Sequence, residues 1–277
     1  MKELLEAARP LIDLAIAEDI GPGDATSIAT LPDDLVVQGR IFAKEMGVIA
    51  GLPVVTEAFA RVDERIRVSP EVADGERVDR TALVARVKGP ARELLAAERM
   101  ALNFLQRLSG IATLTRAFVD VTAESGTVIL DTRKTHPGYR VLEKYAVRAG
   151  GGQNHRMALY DMILIKDNHI EAAGSITTAI ERARAAYPEL PIEVEVKNQA
   201  ELKEALALRP DRIMLDNMTL DQMRDAVALA AGRVPLEASG NVDLGRVARI
   251  AAIGVDYVSI GALTHSAPAL DLSMLLD

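Results

Sequence analysis

From Ile192 onward the chain repeats one unit. Four runs rich in large apolar residues, Ile192–Val196, Arg212–Leu215, Leu236–Ala238 and Tyr257–Ile260, begin between 20 and 24 residues apart. Stretches of helical periodicity at about 199–208, 219–231 and 243–253 alternate with them. A strand followed by a helix at this spacing implies a parallel sheet, because parallel neighbours need a crossover of about a dozen residues or more. Two earlier runs, Val128–Leu130 and Met162–Ile165, with helices expected at about 141–149 and 175–186, raise the count to six strands. A complete barrel has eight strands in about 250 residues. The expectation is therefore an incomplete (β/α) barrel, with an open doubly wound sheet as the competing arrangement.

The first part of the chain lacks that alternation. Leu4, Leu5, Ala8, Leu11, Ile12, Ala15 and Ile16 predict a helix over the first 19 residues or so, stopped by Gly21-Pro-Gly-Asp24. Strands are expected at Val36–Ala43 and Ala82–Val87, with a helix at Pro53–Val62 between them. After Gly89-Pro90 a strong helix carries Leu94, Ala97, Ala101, Leu105 and Leu108 on one face, with Gly110 placed to end it. The fold class is α/β. Residues 1–110 form an N-terminal α+β domain and residues 111–277 the barrel, the last few residues expected to pack back on the first domain.

Composition narrows the function. The absence of cysteine excludes a disulfide scaffold, a thiolate nucleophile and a Cys-ligated metal, and fits a reducing, cytoplasmic location. The opening Met1-Lys-Glu-Leu-Leu-Glu6 lacks the apolar core of a secretory signal. No apolar run approaches the roughly 20 residues of a membrane span. A net charge of −8 and 3% aromatic residues argue against nucleic acid as a partner. Against that acidic background, Asp131 to His169 holds seven Lys or Arg and four acids, and three of the four histidines. Such a window suits an anionic small molecule.

In a parallel architecture the chemistry sits at the carboxyl ends of the strands. Here those ends run into Asp131-Thr-Arg-Lys-Thr135, Lys166-Asp-Asn-His169, Glu195 with Lys197-Asn198, Asp216-Asn217, Ser239-Gly-Asn241 and Gly261-Ala-Leu-Thr-His-Ser266. Helix N-caps account for single Asn, Asp or Ser residues there. They do not account for Arg133, Lys134 and Lys166, which face a helix end of their own sign. Arg133, Lys134, His155, Arg156 and Lys166 supply cationic donors for carboxylate or phosphate. Glu195, Asp216 and Asp167 supply hard oxygen ligands that favour Mg²⁺ carried in with a phosphate substrate. The small residues of the last two strand ends suit a phosphate. The residues alone lead to a transferase or lyase acting on anionic small molecules. A Schiff-base enzyme using Lys166 and a catalytically silent nucleotide binder remain open at this point.

The ordered set Asp131-Thr-Arg-Lys-Thr135, Gly150-Gly-Gly-Gln-Asn-His-Arg156, Leu164-Ile-Lys-Asp-Asn-His169, Glu193-Val-Glu-Val196, Leu215-Asp-Asn217, Glu237-Ala-Ser-Gly240 and Gly261-Ala-Leu-Thr-His-Ser266 closely resembles the quinolinate phosphoribosyltransferase family. Glu18-Asp-Ile-Gly-Pro-Gly-Asp24 and Glu98-Arg-Met-Ala-Leu-Asn103 resemble its N-terminal part. The resemblance implies a sandwich-like α+β domain beside an incomplete barrel, in a homodimer or an assembly of dimers. It implies the reaction of quinolinate with phosphoribosyl pyrophosphate to give nicotinate mononucleotide, pyrophosphate and CO₂, in de novo NAD synthesis, with Mg²⁺. Carried over, Arg133, His155, Arg156 and Lys166 hold quinolinate, and Arg99 reaches it from the neighbouring subunit. Lys134, Glu195 and Asp216 serve phosphoribosyl pyrophosphate and its metal, and Ser239, Gly240, Gly261 and His265 line the phosphate end. His136 and Tyr139 stand where the family pattern has smaller or aliphatic residues, and Asn241 where it has glycine. A relative from molybdenum-transport operons shares part of the pattern but is expected to lack the Asn-His-Arg and Lys-Asp-Asn-His segments present here.

Overall fold

The computed structural model describes all 277 residues. In chain order the elements are α1 (Lys2–Asp19), α2 (Ala25–Thr30), β1 (Val36–Ala43), β2 (Gly47–Val48), α3 (Leu52–Val62), β3 (Arg67–Pro70), β4 (Arg77–Val78), β5 (Leu83–Pro90) and α4 (Ala91–Thr122). There follow β6 (Val128–Leu130), α5 (Arg140–Ala149), β7 (Ile163–Ile165), α6 (Asp167–Ala173), α7 (Ile176–Ala186), β8 (Ile192–Val196), α8 (Gln199–Leu208) and β9 (Arg212–Asp216). The chain closes with α9 (Leu220–Ala230), β10 (Leu236–Ser239), α10 (Leu244–Ala251), β11 (Tyr257–Ser259), α11 (Ala262–His265) and β12 (Leu272–Leu276). None of the helices is long and apolar enough to cross a membrane.

Two compact units emerge. The first combines residues 1–116 with 135–151 and 262–277. Its main sheet has the order β12-β1-β5-β3, antiparallel where β1 meets β12 and β5, and β5 meets β3. Period-two patterning sets its faces: Ile41 pairs with Ala85 and with Met274 on the buried side, while Arg40 opposes Arg86 on the other. β12 is the last stretch of the chain, so the C-terminus completes this sheet. Residues 135–151 join the same unit through α5, which packs on α1. The unit therefore includes residues 135–151, which sequence position alone assigns to the barrel, as well as the C-terminal segment.

The helix end expected at Gly110 is not found there. α4 does not end there but runs on for 32 residues in all, to Thr122. A Cβ at Gly110 would collide with the backbone carbonyl of Pro268. This glycine permits a close approach of two backbones rather than terminating the helix. The stripe Leu94, Ala97, Ala101, Leu105 and Leu108 is fully buried, as its spacing predicts.

The second unit, residues 117–134 and 152–261, is a six-stranded parallel sheet in the order β6-β11-β10-β9-β8-β7. From β7 to β11 each strand neighbours its successor, and β11 closes back onto β6. A doubly wound sheet reverses direction part-way; this one winds in one sense and leaves a seam only between β6 and β7. It is an incomplete barrel. The helices start on side-chain caps, Asn198 for α8, Thr219 for α9 and Asp243 for α10.

Candidate active site

The parallel strands all present their carboxyl ends at one rim of the second unit. Arg133 and Lys134 follow β6, Lys166 follows β7, and Glu195 lies near the end of β8. Asp216 ends β9, Ser239 ends β10 with Gly240 after it, and Gly261 lies two residues beyond β11. His155 and Arg156 come from the loop between α5 and β7. These ten residues of the expected site belong to one compact unit.

The rim mixes opposite charges at close range. Lys166 Nζ lies 3.1 Å from Glu195 Oε2, and Glu195 is buried. Asn217 Nδ2 donates to Asp216 Oδ2 at 2.8 Å. Gly240 has φ 102°, and a Cβ there would overlap the Asn217 side chain, so glycine is what lets the β9 and β10 loops approach. Asn241 follows at φ 49°. Asparagine tolerates this left-handed conformation almost as glycine does, which accounts physically for its presence where the family pattern has glycine.

Arg156 is held at several points. Its Nη1 donates to the Met162 carbonyl at 3.1 Å, and its backbone N–H donates to His155 Nδ1 at 2.8 Å. Burial, and then the nearby Arg133 charge, pull its guanidinium below the ordinary arginine range. An anion placed between Arg133 and Arg156 would relieve that repulsion. Asp131, fully buried, accepts the His155 N–H at 2.9 Å and also bonds the Asn154 amide.

The donor set at this rim fits Mg²⁺. Glu195 and Asp216 offer carboxylate oxygens from adjacent strands, and Mg²⁺ is commonly held by one or two carboxylates together with substrate phosphates. Asp167 is engaged elsewhere. Lys197 Nζ lies 2.7 Å from its Oδ2, which holds the carboxyl below the usual range.

Below the rim the barrel interior is charged. Glu193 on β8 and Glu237 on β10 are fully buried, although β9 lies between their strands. Their oxygens and His155 nevertheless come within 4.8 Å of one another, which requires both side chains to point to the concave side. Arg212 Nη1 lies 2.8 Å from Glu237 Oε2, and its guanidinium sits 4.0 Å from the Tyr257 ring centroid. The three ligand-type groups have a spacing that suits a metal, but Arg212 already supplies positive charge there. Burial pushes both glutamates up to about 7, and for Glu237 the neighbouring Glu193 adds to the shift. The sequence alone points to no role for Glu193, Glu237 or Arg212. The available signal was Glu alternating with Val in Ile192–Val196, a polar residue at every second position of a strand that a parallel barrel buries on both faces.

Arg99 and His265 belong to the first unit. Arg99 is exposed on α4 and lines a cavity of about 430 Å³ with Glu18, Asn103, Arg107, His136 and Tyr139. His265 lies on α11, its Nδ1 2.6 Å from Ser266 Oγ. The two unusual loop residues have local partners. His136 Nδ1 lies 2.7 Å from Glu143 Oε1, and Tyr139 stacks on Phe104. Glu143 is fully buried and pairs with Arg107 at 2.8 Å.

Residues 24–109 match the N-terminal domain of quinolinate phosphoribosyl transferase, and residues 111–275 match its C-terminal domain. The chain belongs to the quinolinate phosphoribosyltransferase family. It is 44% identical to the chloroplastic nicotinate-nucleotide pyrophosphorylase [carboxylating] of Arabidopsis thaliana, over 97% of this chain and 82% of the relative. It is also 44% identical to a probable nicotinate-nucleotide pyrophosphorylase [carboxylating] of Bacillus subtilis, over 96% and 92%. The crystal structure of NadC from Streptococcus pyogenes superposes with a TM-score of 0.94 at 44% identity, covering 97% and 96% of the two chains. The two family domains meet within α4, at the glycine where that helix passes Pro268.

Proposed function

We propose that the barrel rim of this quinolinate phosphoribosyltransferase binds quinolinate through Arg133, Arg156 and Lys166, with His155 beside them. Phosphoribosyl pyrophosphate lies along Lys134, Glu195, Asp216, Ser239, Gly240 and Gly261. The reaction transfers the phosphoribosyl group to the ring nitrogen with loss of CO₂, giving nicotinate mononucleotide and pyrophosphate in NAD synthesis. The observation that carries these roles is the convergence of cationic and carboxylate side chains on the same ends of the six parallel strands.

Each residue type suits its role. Planar guanidinium groups pair with carboxylates through two parallel hydrogen bonds, and quinolinate has two carboxylates to satisfy. Held there, its ring nitrogen faces the anomeric carbon, and positioning supplies much of the rate. The transition state has oxocarbenium character, so charge builds on the departing pyrophosphate; Lys134 stabilises it. Mg²⁺ held by Glu195 and Asp216 would supply further charge neutralisation to the pyrophosphate. Once the nitrogen is ribosylated, its positive charge stabilises the electron pair that departing CO₂ leaves on the adjacent ring carbon, and a proton from solvent then fills that position, so the protein need not provide a nucleophile.

Arg99 acts in a second copy of the chain, completing the quinolinate site of a homodimer or an assembly of dimers, and His265 serves the phosphate end. Complementation tests the trans role. Arg99→Ala and Lys134→Ala, each inactive, should recover about a quarter of wild-type activity after dissociation and random reassociation of a two-fold dimer; full subunit exchange without recovery means that Arg99 does not work in trans. The compartment proposed is the cytoplasm.

The primary assay is pyrophosphate release with phosphoribosyl pyrophosphate, Mg²⁺ and either quinolinate or nicotinate. Quinolinate should support release and nicotinate should not, because a missing carboxylate leaves buried cations unpaired. Equal turnover of both acids would overturn the substrate assignment.

A further inference from the structure

The interior of the barrel carries three polar groups, Glu193, Glu237 and Arg212, with no part in the reaction as assigned above. His155 joins them to the rim. The ring is only 8% exposed and ends between the two glutamates, with Nε2 2.9 Å from Glu193 Oε2 and 3.5 Å from Glu237 Oε2. Its Nδ1 accepts the Arg156 N–H. A ring nitrogen that accepts carries no proton, so this network selects the tautomer protonated on Nε2, facing the carboxylates. Arg212 braces Glu237 from below and rests on Tyr257. Nδ1 of His155 is thus engaged in a hydrogen bond and Nε2 is buried at ion-pair distance from the two carboxylates, while its own backbone is fixed by Asp131.

Stability alone does not call for such an arrangement. Two carboxylates in a dry barrel interior are costly, and apolar side chains of similar volume commonly fill such a space as well or better. What the network does achieve is geometric. It fixes the ring that fixes the Arg156 backbone, while the Met162 carbonyl holds the guanidinium. A bidentate clamp works only when placed to within roughly half an ångström.

Resting on the reading of the rim as a quinolinate site, we propose that Glu193 and Glu237 are positioning residues. They orient His155 and, through its Nδ1 bond, set Arg156 to receive a quinolinate carboxylate. His155 is then a strut between the barrel interior and the substrate clamp.

Glu193→Gln and Glu237→Gln keep the shapes but replace one carboxylate oxygen facing His155 with an amide. Steady-state kinetics of each full-length variant should show KM for quinolinate raised at least tenfold. KM for phosphoribosyl pyrophosphate should stay within twofold, and kcat should change little, the pattern of lost uniform binding. Adding His155→Asn to Glu237→Gln should cost nothing further, because the strut is already broken. A folded variant with unchanged quinolinate KM, or fully additive losses in the double variant, overturns the proposal. Should the variants not fold, imidazole nitrogen NMR of the wild-type protein decides. The Nε2-protonated tautomer should be present and should persist when quinolinate is added; a ring protonated on Nδ1 instead overturns the proposal. Wild-type pyrophosphate release is measured alongside. Its absence sinks the catalytic reading and this inference with it, whereas its presence with unchanged KM sinks the positioning role alone.

Discussion

β1 and β5 of the antiparallel sheet bury Ile41 and Ala85 and turn Arg40 and Arg86 the other way, whereas β8 of the barrel buries Val194 and Val196 on one face and Glu193 and Glu195 on the other. The first pattern is what hydrophobic burial dictates for a sheet with one covered face. The second places charge where barrels usually pack branched aliphatic side chains. The contrast separates two uses of a strand interior. In the first unit it holds the fold; in the barrel it holds the chemistry, and the outward valines maintain the packing against helices.

That contrast can be broken by substitution. In the barrel, Arg156→Ala should weaken quinolinate binding by ~2–5 kcal/mol, because a buried carboxylate partner is left without its cation. Arg133→Ala should do the same. Calorimetric titration should show phosphoribosyl pyrophosphate binding nearly unchanged, and the reverse pattern would exchange the two subsites. Glu195→Gln and Asp216→Asn should lower kcat on the order of 10²–10³-fold, the scale of losing a preorganised charge partner of the transition state. They should raise the Mg²⁺ needed for turnover and leave quinolinate binding intact. Full activity of wild type without Mg²⁺ would remove both carboxylates from the metal role.

In the first unit the same size of change should act on folding only. Gly110→Ala gains up to ~1 kcal/mol of helix propensity but drives a methyl group into the Pro268 carbonyl, a backbone atom that cannot swing aside. Overpacking of this kind costs about 1–3 kcal/mol, so the net effect should be destabilising. Urea denaturation should show the loss while KM for quinolinate stays at its wild-type value. A neutral or stabilising outcome would mean that α4 and the segment at Pro268 can part without cost.

What could be read from the sequence follows the same division. The six strands and their spacing are legible because βα units repeat a local pattern, and the rim residues because Arg133 and Lys134 make poor helix caps; Lys166, against the same expectation, does stand at the N-cap of α6, with its ammonium turned to Glu195. Gly110 misled because a helix-ending glycine and a close-contact glycine have the same composition signal; only Pro268, 158 residues away, distinguishes them. α6 was missed because Lys166-Asp-Asn-His169 looks like a polar strand end, yet Asp167 begins a short helix whose first turn is closed by His169 Nδ1 accepting the Lys166 N–H at 3.0 Å. The sequence alone gives Glu193 and Glu237 no individual role, because alternation of Glu with apolar residues normally means a solvent-facing side. Which face is inward is a property of the closed sheet and not of the strand.

The buried glutamates also give the smallest effect, one that bears on stability rather than turnover. Burial raises Glu237 to about 7 in the folded protein, against an ordinary value near 4.5. Between those values the folded state binds more protons than the unfolded chain, so stability falls as pH climbs from about 4.5 to 7. Gln at this position is always neutral and removes that dependence. Denaturation at pH 5, 6 and 7.5 should therefore show Glu237→Gln losing less stability than wild type across the series. Glu193 lies close enough to take up the shared proton in place of Glu237, so the difference should be ~1 kcal/mol, short of what two independent carboxyls would give. Parallel curves for the two proteins would mean that Glu237 is ionised throughout this range. Arg212 and His155 would then be balancing a full charge inside the barrel.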